Sequence, residues 1–362
     1  MVELGFNELS KLLSNQVLDY SKPGFIITRF GVNVSKRDLM ACEDFLCLLE
    51  QNVIEREGEE GKKFLYLVGK TFGYNFGIIS FFPNIKNKNF SRDEATSIFL
   101  DFLKMIRNIW GEELIVDKMD LDSKKIKYLF KNFIVFRKNG FGYSIVDGSG
   151  TGIFDFFVDD DRCEGVRTVL NKNEFVVNIS HTNFYLPVEK YDFDQKENLI
   201  LNEVTMINKR SLKDFIDSGI LEYKKNSFFI GNYCFFQCEI SFFYILEFEF
   251  NKKAWNDLLF DSAFAFSKNF FDDVLNKFPM IDEKSAFASN FLSALGLGDV
   301  NFFTDKVVCK FLPFHPLARK IDFMFFKGIF SGALSSINGK NIFLRKHKYF
   351  ITDNLTVEFQ VD

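Results

Sequence analysis

The sequence contains few of the residues that usually build metal or catalytic sites. Its three histidines, His181, His315 and His347, form no i,i+4 pair and no HExxH motif. The six cysteines form no CxxC motif and no Cys–His spacing typical of zinc. They are Cys42, Cys47, Cys163, Cys234, Cys238 and Cys309. We therefore predict no metal site and no disulfide framework, and we expect a reducing compartment, the cytoplasm.

An excess of charge of either sign is also missing. The formal net charge is −4 and the pI is about 5.7, so the sequence lacks the basic footprint of a nucleic-acid-binding protein, and we predict no nucleic-acid partner. The most apolar stretch, residues 227–250, is interrupted by Glu239, Glu247 and Glu249. Because charges are costly at the centre of a bilayer, we predict no transmembrane segment but a buried strand that leads into a helix.

Motifs of common enzyme classes are absent as well. The sequence has no GxSxG elbow and no dinucleotide fingerprint. The run GSGTG at 148–152 resembles a phosphate loop but lacks the Lys-Ser/Thr that would follow. The acidic groups at 159–161 and 299–305 match no EF-hand spacing and are expected in solvated turns. We predict no catalytic residue and no cofactor.

The sequence does contain a helix with a bare stripe. Between Glu59 and Phe82, apolar residues recur at helical spacing, and Gly69, Gly73 and Gly77 fall four residues apart on one face. Each glycine inside a helix costs roughly 0.5–1 kcal/mol relative to alanine. Either a crossing helix packs closely on this face, which is the more common use of such spacing, or a ligand is bound to it. The two alternatives are not exclusive.

The same pattern returns in the second half of the chain. A predicted helix over Trp255–Phe278 can be laid on the glycine-striped helix, with Ala263 standing 194 positions after Gly69. Phenylalanines flank the small residues in both copies, and Phe271 takes the place of Gly77. The candidate ligand-binding residues are Gly69, Phe72, Gly73, Phe76, Gly77, Ala263, Phe266, Ser267 and Phe270.

The order of the remaining elements repeats too, which indicates an ancient duplication. Each half is predicted to continue with a second helix, strands, a glycine-bearing helix and two closing strands, with Gly328 in the place of Gly152. A helix is also predicted from Ser35 to about Glu57. The predicted organisation is an N-terminal segment at 1–24, a first domain at 25–181, a linker at 182–200 and a second domain at 201–362.

Several of these stretches resemble the 4-vinyl reductase domain, a family related in fold to TRAPP tethering subunits and to haem-nitric-oxide sensor domains. The resemblance rests on GEEGKKFLYLVGKTFGYNFG at 58–77, on a helix ending in Trp110-Gly111 and on KGIFSGALSSINGKNIFLRKHKYF at 327–350. It implies an α+β fold in which two tandem copies of a helical layer on an antiparallel sheet form a pseudo-dimer. Many members carry two cysteines in the last strand pair, whereas 166–180 and 342–361 contain none here. We therefore expect no metal or haem bound in the family's manner.

Three functions are compatible with this resemblance. The first is a non-enzymatic, sensory or regulatory protein that binds a small hydrophobic ligand beside the small-residue stripe. The second is a TRAPP-like scaffold or tethering protein with a protein partner or a homodimer contact. The third is an accessory subunit of a reductase, as the family name suggests, although the sequence has no nicotinamide or flavin fingerprint.

Overall fold

The structure is a computed structural model, and it describes residues 16–30, 34–79, 91–110, 113–133, 142–191, 204–224, 227–277, 283–352 and 354–361. Its regular elements are helices and antiparallel strands, which confirms the predicted α+β class. No helix among the described residues is long and apolar enough to cross a membrane.

Eight α-helices lie within the described part of the chain. Their bounds are α1 Glu43–Ile79, α2 Arg92–Trp110, α3 Tyr143–Val158, α4 Leu212–Asp217, α5 Ile240–Lys252, α6 Asn256–Lys277, α7 Lys284–Leu292 and α8 Met324–Asn338. A π-helical turn, Ser293–Leu297, follows α7, and a 3₁₀ turn, Pro316–Arg319, precedes α8. Helix α1 is kinked at Gly58, where φ is 61°.

Fourteen strands form three antiparallel sheets in the same described residues. They are β1 Gln16–Asp19, β2 Ile26–Phe30, β3 Val34–Cys42, β4 Glu113–Asp120, β5 Lys125–Lys131, β6 Cys163–Asn171, β7 Glu174–His181, β8 Glu222–Lys224, β9 Ser227–Ile230, β10 Tyr233–Glu239, β11 Asp299–Phe302, β12 Lys306–Leu312, β13 Leu344–Ile351 and β14 Leu355–Val361. The predicted strand leading into a helix is confirmed at β10 and α5.

The helix predicted to begin at Ser35 is wrong in its first turns. Residues up to Cys42 form β3, and the helix begins only at Glu43. Strand β3 pairs with β10, with Cys42 opposite Phe235 and Asp38 opposite Glu239. Because this pairing satisfies the backbone of residues with good helix propensity, the tertiary context overrides the local preference.

The chain divides into two compact units. The first contains Glu50–Tyr191 with the pieces Met1–Gln16 and Phe30–Val34, and the second contains Asp192–Asp362 with Val17–Arg29 and Ser35–Leu49. Most of 25–49, which we assigned to the first domain, therefore belongs to the second unit, because β3 pairs with β10 there. The described part of the predicted linker, 182–191, belongs to the first unit, and 192–200 lie outside the described residues.

Each unit contains a four-stranded sheet with the same strand order. In the first unit the order is β4-β5-β7-β6, and in the second it is β11-β12-β14-β13. A glycine-bearing helix, α3 or α8, lies between the second and third strands of its sheet in the sequence. The second unit also contains most of the six-stranded sheet β1-β2-β3-β10-β9-β8.

A buried glutamate caps the glycine-bearing helix in each unit. Glu50 accepts hydrogen bonds from the backbone N–H and the hydroxyl of Ser144 at the start of α3. Glu247 accepts from the backbone N–H groups of Met324 and Phe325 at the start of α8. The side-chain oxygens thereby satisfy N–H groups that have no partner within the first turn of the helix. The cap fixes where each of these helices begins.

Candidate functional site

In the first unit, the glycine stripe of α1 is covered by the backbone of α3. A Cβ atom built at Gly69 would lie 2.1 Å from the carbonyl oxygen of Ile145, and one at Gly73 would lie 2.1 Å from that of Ser149. Glycines of α3, Gly148 and Gly152, approach the backbone of α1 just as closely. Of the two alternatives for this face, the structure thus places a crossing helix against Gly69 and Gly73.

The other candidates of the first unit lie in its core. Gly77 faces the ring of Phe156. Phe72 and Phe76 are each 4% exposed, with ring centroids 5.6 Å apart. Phe76 also lies 5.9 Å from the ring of Phe102 on α2. These phenylalanines fill the apolar interior between α1 and α2.

In the second unit, α6 and α8 cross in the same way, but α6 carries alanine and serine where α1 carries glycines. Ala263 on α6 faces Gly328 of α8, and Ser267 faces Gly332. The Ser267 hydroxyl donates a 2.6 Å hydrogen bond to the carbonyl oxygen of Ile329. The glycines of α8 therefore accommodate a Cβ from α6, whereas in the first unit neither helix carries one at the closest points.

The contacts correct one of the predicted matches between the two halves. Gly148 approaches the carbonyl oxygen of Tyr66, and Gly328 approaches that of Phe260. Phe260 stands 194 positions after Tyr66, as predicted for α1 and α6. Gly328 therefore corresponds to Gly148 and not to Gly152. The predicted match is wrong by four residues, about one helical turn. Glycines recur every four residues in both helices, so the shifted alignment still places glycine on glycine.

An apolar cavity of about 40 Å³ lies in the second unit beside this crossing. Three predicted residues, Phe266, Ser267 and Phe270, contribute to its wall, while Ala263 does not. The lining residues are Leu39, Met40, Ala41, Cys42, Phe45, Phe235, Phe243, Phe266, Ser267, Phe270, Phe271, Phe291, Leu292, Leu295, Leu297, Phe325 and Ile329. Sequence periodicity could indicate the helix face but not the strand, β3, that closes the cavity.

The wall offers almost no hydrogen-bonding capacity to a guest molecule. Ser267 uses its hydroxyl proton on Ile329, as described above. The Cys42 thiol lies 3.6 Å from a carboxylate oxygen of Asp44 and donates to it. The remaining lining side chains are hydrocarbon or thioether groups. The cavity is therefore suited to a molecule without polar groups.

A polar cluster in the first unit was not predicted. Lys70 is fully buried, and its ammonium group lies 2.8 Å from Glu164 and 3.3 Å from Asp155. It also donates to the carbonyl oxygens of Asp161 and Leu186. A buried cation costs several kcal/mol unless it is paired and hydrogen-bonded. The surrounding oxygens pair with the Lys70 Nζ atom on several sides, so this lysine has a structural role in the cluster.

Burial is the main influence on the pKa values of Asp155 and Tyr66, two side chains of this cluster. It raises the pKa of Asp155 to about 8, against the opposing effect of Lys70. The Tyr66 hydroxyl donates to Glu164 at 2.7 Å, and burial together with that carboxylate raises the Tyr66 pKa. Phe264 takes the place of Lys70 in the second unit, because Gly152 faces Lys70 as Gly332 faces Phe264. The polar cluster is thus specific to the first unit.

Two other residues with ionisable side chains, His315 and Asp160, make hydrogen bonds that stabilise turns of the chain. His315 accepts a hydrogen bond from the backbone N–H of Leu317 at the start of the 3₁₀ turn, and its burial lowers its pKa to about 3. Asp160, expected in a solvated turn, is 7% exposed and accepts from Lys124 and Arg162. No group of three or more metal-ligating side chains occurs among the described residues.

Comparison with known proteins assigns neither a family nor a function to this chain. The chain matches no protein-family model and no curated protein. The candidate site therefore stands on its geometry alone.

Proposed function

We propose that this protein binds a small apolar molecule in the cavity of the second unit and acts as a non-enzymatic ligand-binding or sensory protein. The observation that carries the proposal is a cavity lined almost entirely by aromatic and aliphatic side chains. Protein interiors are normally close-packed, and an apolar void forfeits packing contacts. A guest of matching size would restore those contacts and stabilise the fold.

The size and chemistry of the wall define the class of ligand. An apolar cavity of roughly 150 Å³ accommodates benzene, so a cavity of about 40 Å³ has room for a much smaller guest, such as a small hydrocarbon or a single xenon atom. A hydroxyl or amide placed there would lose its hydrogen bonds to water at a cost of about 1–3 kcal/mol. The ligand that fits is therefore small and without polar groups.

Xenon is the probe of choice because it is apolar and small. We expect xenon under pressure to shift the NMR signals of the Leu295 and Ile329 methyl groups, which line the cavity. The variant Leu295→Phe should fill the space and abolish the shifts. The variant Leu259→Met, a volume-conserving change at a buried residue outside the cavity wall, should leave them intact. Shifts that persist in Leu295→Phe, or no shift at Ile329 in the parent chain, would contradict the proposal.

We also propose that the two units are copies of one module of the 4-vinyl reductase type, arranged as a pseudo-dimer. The shared strand order of β4–β7 and β11–β14 supports this proposal. The glutamate caps at Glu50 and Glu247 support it too, because Glu247 bonds to Met324, which stands 180 positions after Ser144. The glycines Gly148 and Gly328 have the same separation.

One observation favours the scaffold function as a second candidate. Strand β6, at the end of the sheet order of the first unit, exposes three apolar side chains. Val166 is 66% exposed, Val169 54% and Leu170 56%. Exposed apolar residues on a terminal strand are a common site of strand pairing with another chain. If β6 joins two copies of this chain, Val166→Lys should lower the mass measured by sedimentation, whereas a parent chain that is already monomeric would refute this alternative.

A further inference from the structure

The segment that follows β7 contacts the first unit at several places, and at two of them it meets buried polar side chains of α1. Residues 182–191, here called the strap, contain no helix or strand. At the first point, the backbone N–H of Leu186 donates to Glu164 and its carbonyl oxygen accepts from Lys70. At the second point, the Asn75 side chain donates to the carbonyl oxygen of Glu189 at 2.7 Å and accepts from the N–H of Tyr191 at 2.9 Å. The four hydrogen bonds all involve the strap's main chain.

The groups that receive the strap are preorganised. Lys70 and Asn75 are both fully buried on α1. Lys70 is oriented by Asp155 and Glu164, and the Asn75 amide also donates to the carbonyl oxygen of Thr71. Main-chain hydrogen bonds of this kind recognise a polypeptide backbone whatever its side chains. We call the surface formed by Lys70, Asn75 and Glu164 the strap receptor.

The receptor is a property of the first unit alone. Phe264 stands in the place of Lys70, and Asn269, which stands 194 positions after Asn75, is exposed. No side chain of the strap is fully buried: Phe184 is 91% exposed and Tyr185 40%, while Leu186 and Val188 are half-buried. Its attachment therefore depends on the polar contacts of the receptor more than on hydrophobic burial.

We propose that the strap receptor is a binding site for polypeptide main chain, which the strap fills within the same molecule and can leave. If the attached strap is displaced, a separate peptide with the sequence of the strap should bind to the receptor in its place. The attached copy has the advantage of a local concentration of order millimolar. The unmodified chain should therefore bind an added peptide far more weakly than a chain whose strap has been released.

The test uses a fluorescent peptide of residues 182–191 and the full chain. The variant Leu186→Pro removes the N–H that reaches Glu164 but leaves the receptor intact. We expect the peptide to bind this variant in an anisotropy titration. Adding Asn75→Ala removes two hydrogen bonds and should weaken binding by about 10-fold or more. Adding Asn269→Ala instead, the corresponding change in the second unit, should have no effect.

Amide hydrogen exchange of residues 182–191 shows whether the strap has left. Faster exchange in Leu186→Pro together with peptide binding supports the proposal. Unchanged exchange, or a released strap without peptide binding, overturns it. If Leu186→Pro does not fold, Tyr191→Pro removes the donor at the other attachment point and is read in the same way, with Asn75→Ala again as the added variant. Xenon binding in the second unit is independent of every outcome.

Discussion

Replacing Gly73 by alanine tests whether α1 and α3 are in backbone contact. The added Cβ would lie 2.1 Å from the carbonyl oxygen of Ser149, whereas ordinary contacts begin at 3.4 Å. The helices would have to separate by the difference, about 1.3 Å, because the atom that is met belongs to the backbone and cannot rotate away. Overpacking of this kind costs about 3 kcal/mol. Alanine recovers about 1 kcal/mol of helix propensity, which leaves a net loss of about 2 kcal/mol.

The assay is urea unfolding followed by far-UV circular dichroism, with the free energy of unfolding taken from the midpoint and slope. Gly150 on α3 provides a matched control, because a Cβ there would meet its nearest neighbour, the Phe130 ring, at 3.8 Å. Gly150→Ala should therefore be neutral or stabilise the chain by up to about 1 kcal/mol. If Gly73→Ala proves as stable as Gly150→Ala, the backbone contact does not exist and the reasoning about the stripe is wrong.

Three further predictions concern the same two crossings. Gly332→Ala should cost less than Gly73→Ala in the same assay, because its Cβ would meet the backbone of α6 at 2.6 Å. Lys70→Met should destabilise the chain by about 3–5 kcal/mol, because it leaves Glu164 and the carbonyl oxygens of Asp161 and Leu186 without their donor. Burial raises the pKa of Glu247 from 4.5 to about 8, so its protonated form stabilises the fold below pH 4.5 and that contribution is lost as the pH rises to about 8. Glu247→Gln should therefore flatten the fall in unfolding free energy between pH 5 and pH 8.

Each of these has a clear contrary result. Equal losses for Gly332→Ala and Gly73→Ala would show that the two crossings do not differ in separation. A loss below about 1 kcal/mol for Lys70→Met would mean that its ion pairs are balanced by their desolvation. An unchanged pH profile in Glu247→Gln would show that other buried carboxyl groups, such as Asp147 with a pKa near 8, govern the profile.

The elements that could be predicted are those with a strong local pattern. The spacing of Gly69 and Gly73 identified a helix face that needs close backbone contact, and the structure places α3 there. Alternation of apolar and polar residues predicts strands at 125–130 and 174–179, and the structure has β5 and β7 there. The match of Gly328 with Gly152 failed because a shift of one helical turn preserves every i,i+4 relation. Only contacts distinguish that register from the correct one.

The features that could not be predicted depend on residues far apart in the sequence. Lys70 is a single charge in an apolar run, and Glu164, which pairs with it, lies 94 positions away. The cavity is closed partly by Leu39 and Met40, in a stretch whose composition favours a helix. Its existence depends on how side chains from eight elements pack around one space and leave part of it empty, which the periodicity of a sequence does not show.

At the crossing of α1 and α3, the steric clash caused by replacing a glycine cannot be relieved by a second substitution nearby. When a side chain is added at most buried positions, a smaller neighbour can restore the fit, but the atoms that oppose Gly69 and Gly73 belong to the main chain. A suppressor screen started from either alanine variant should return no partner on α3. In the second crossing Ser267 still carries a Cβ 2.7 Å from where one would stand at Gly332. The carbonyl oxygen of Phe264 is as close to that position, at 2.6 Å, so Ser267→Gly would relieve only part of the clash in Gly332→Ala, and neither crossing is restored by a single side-chain change.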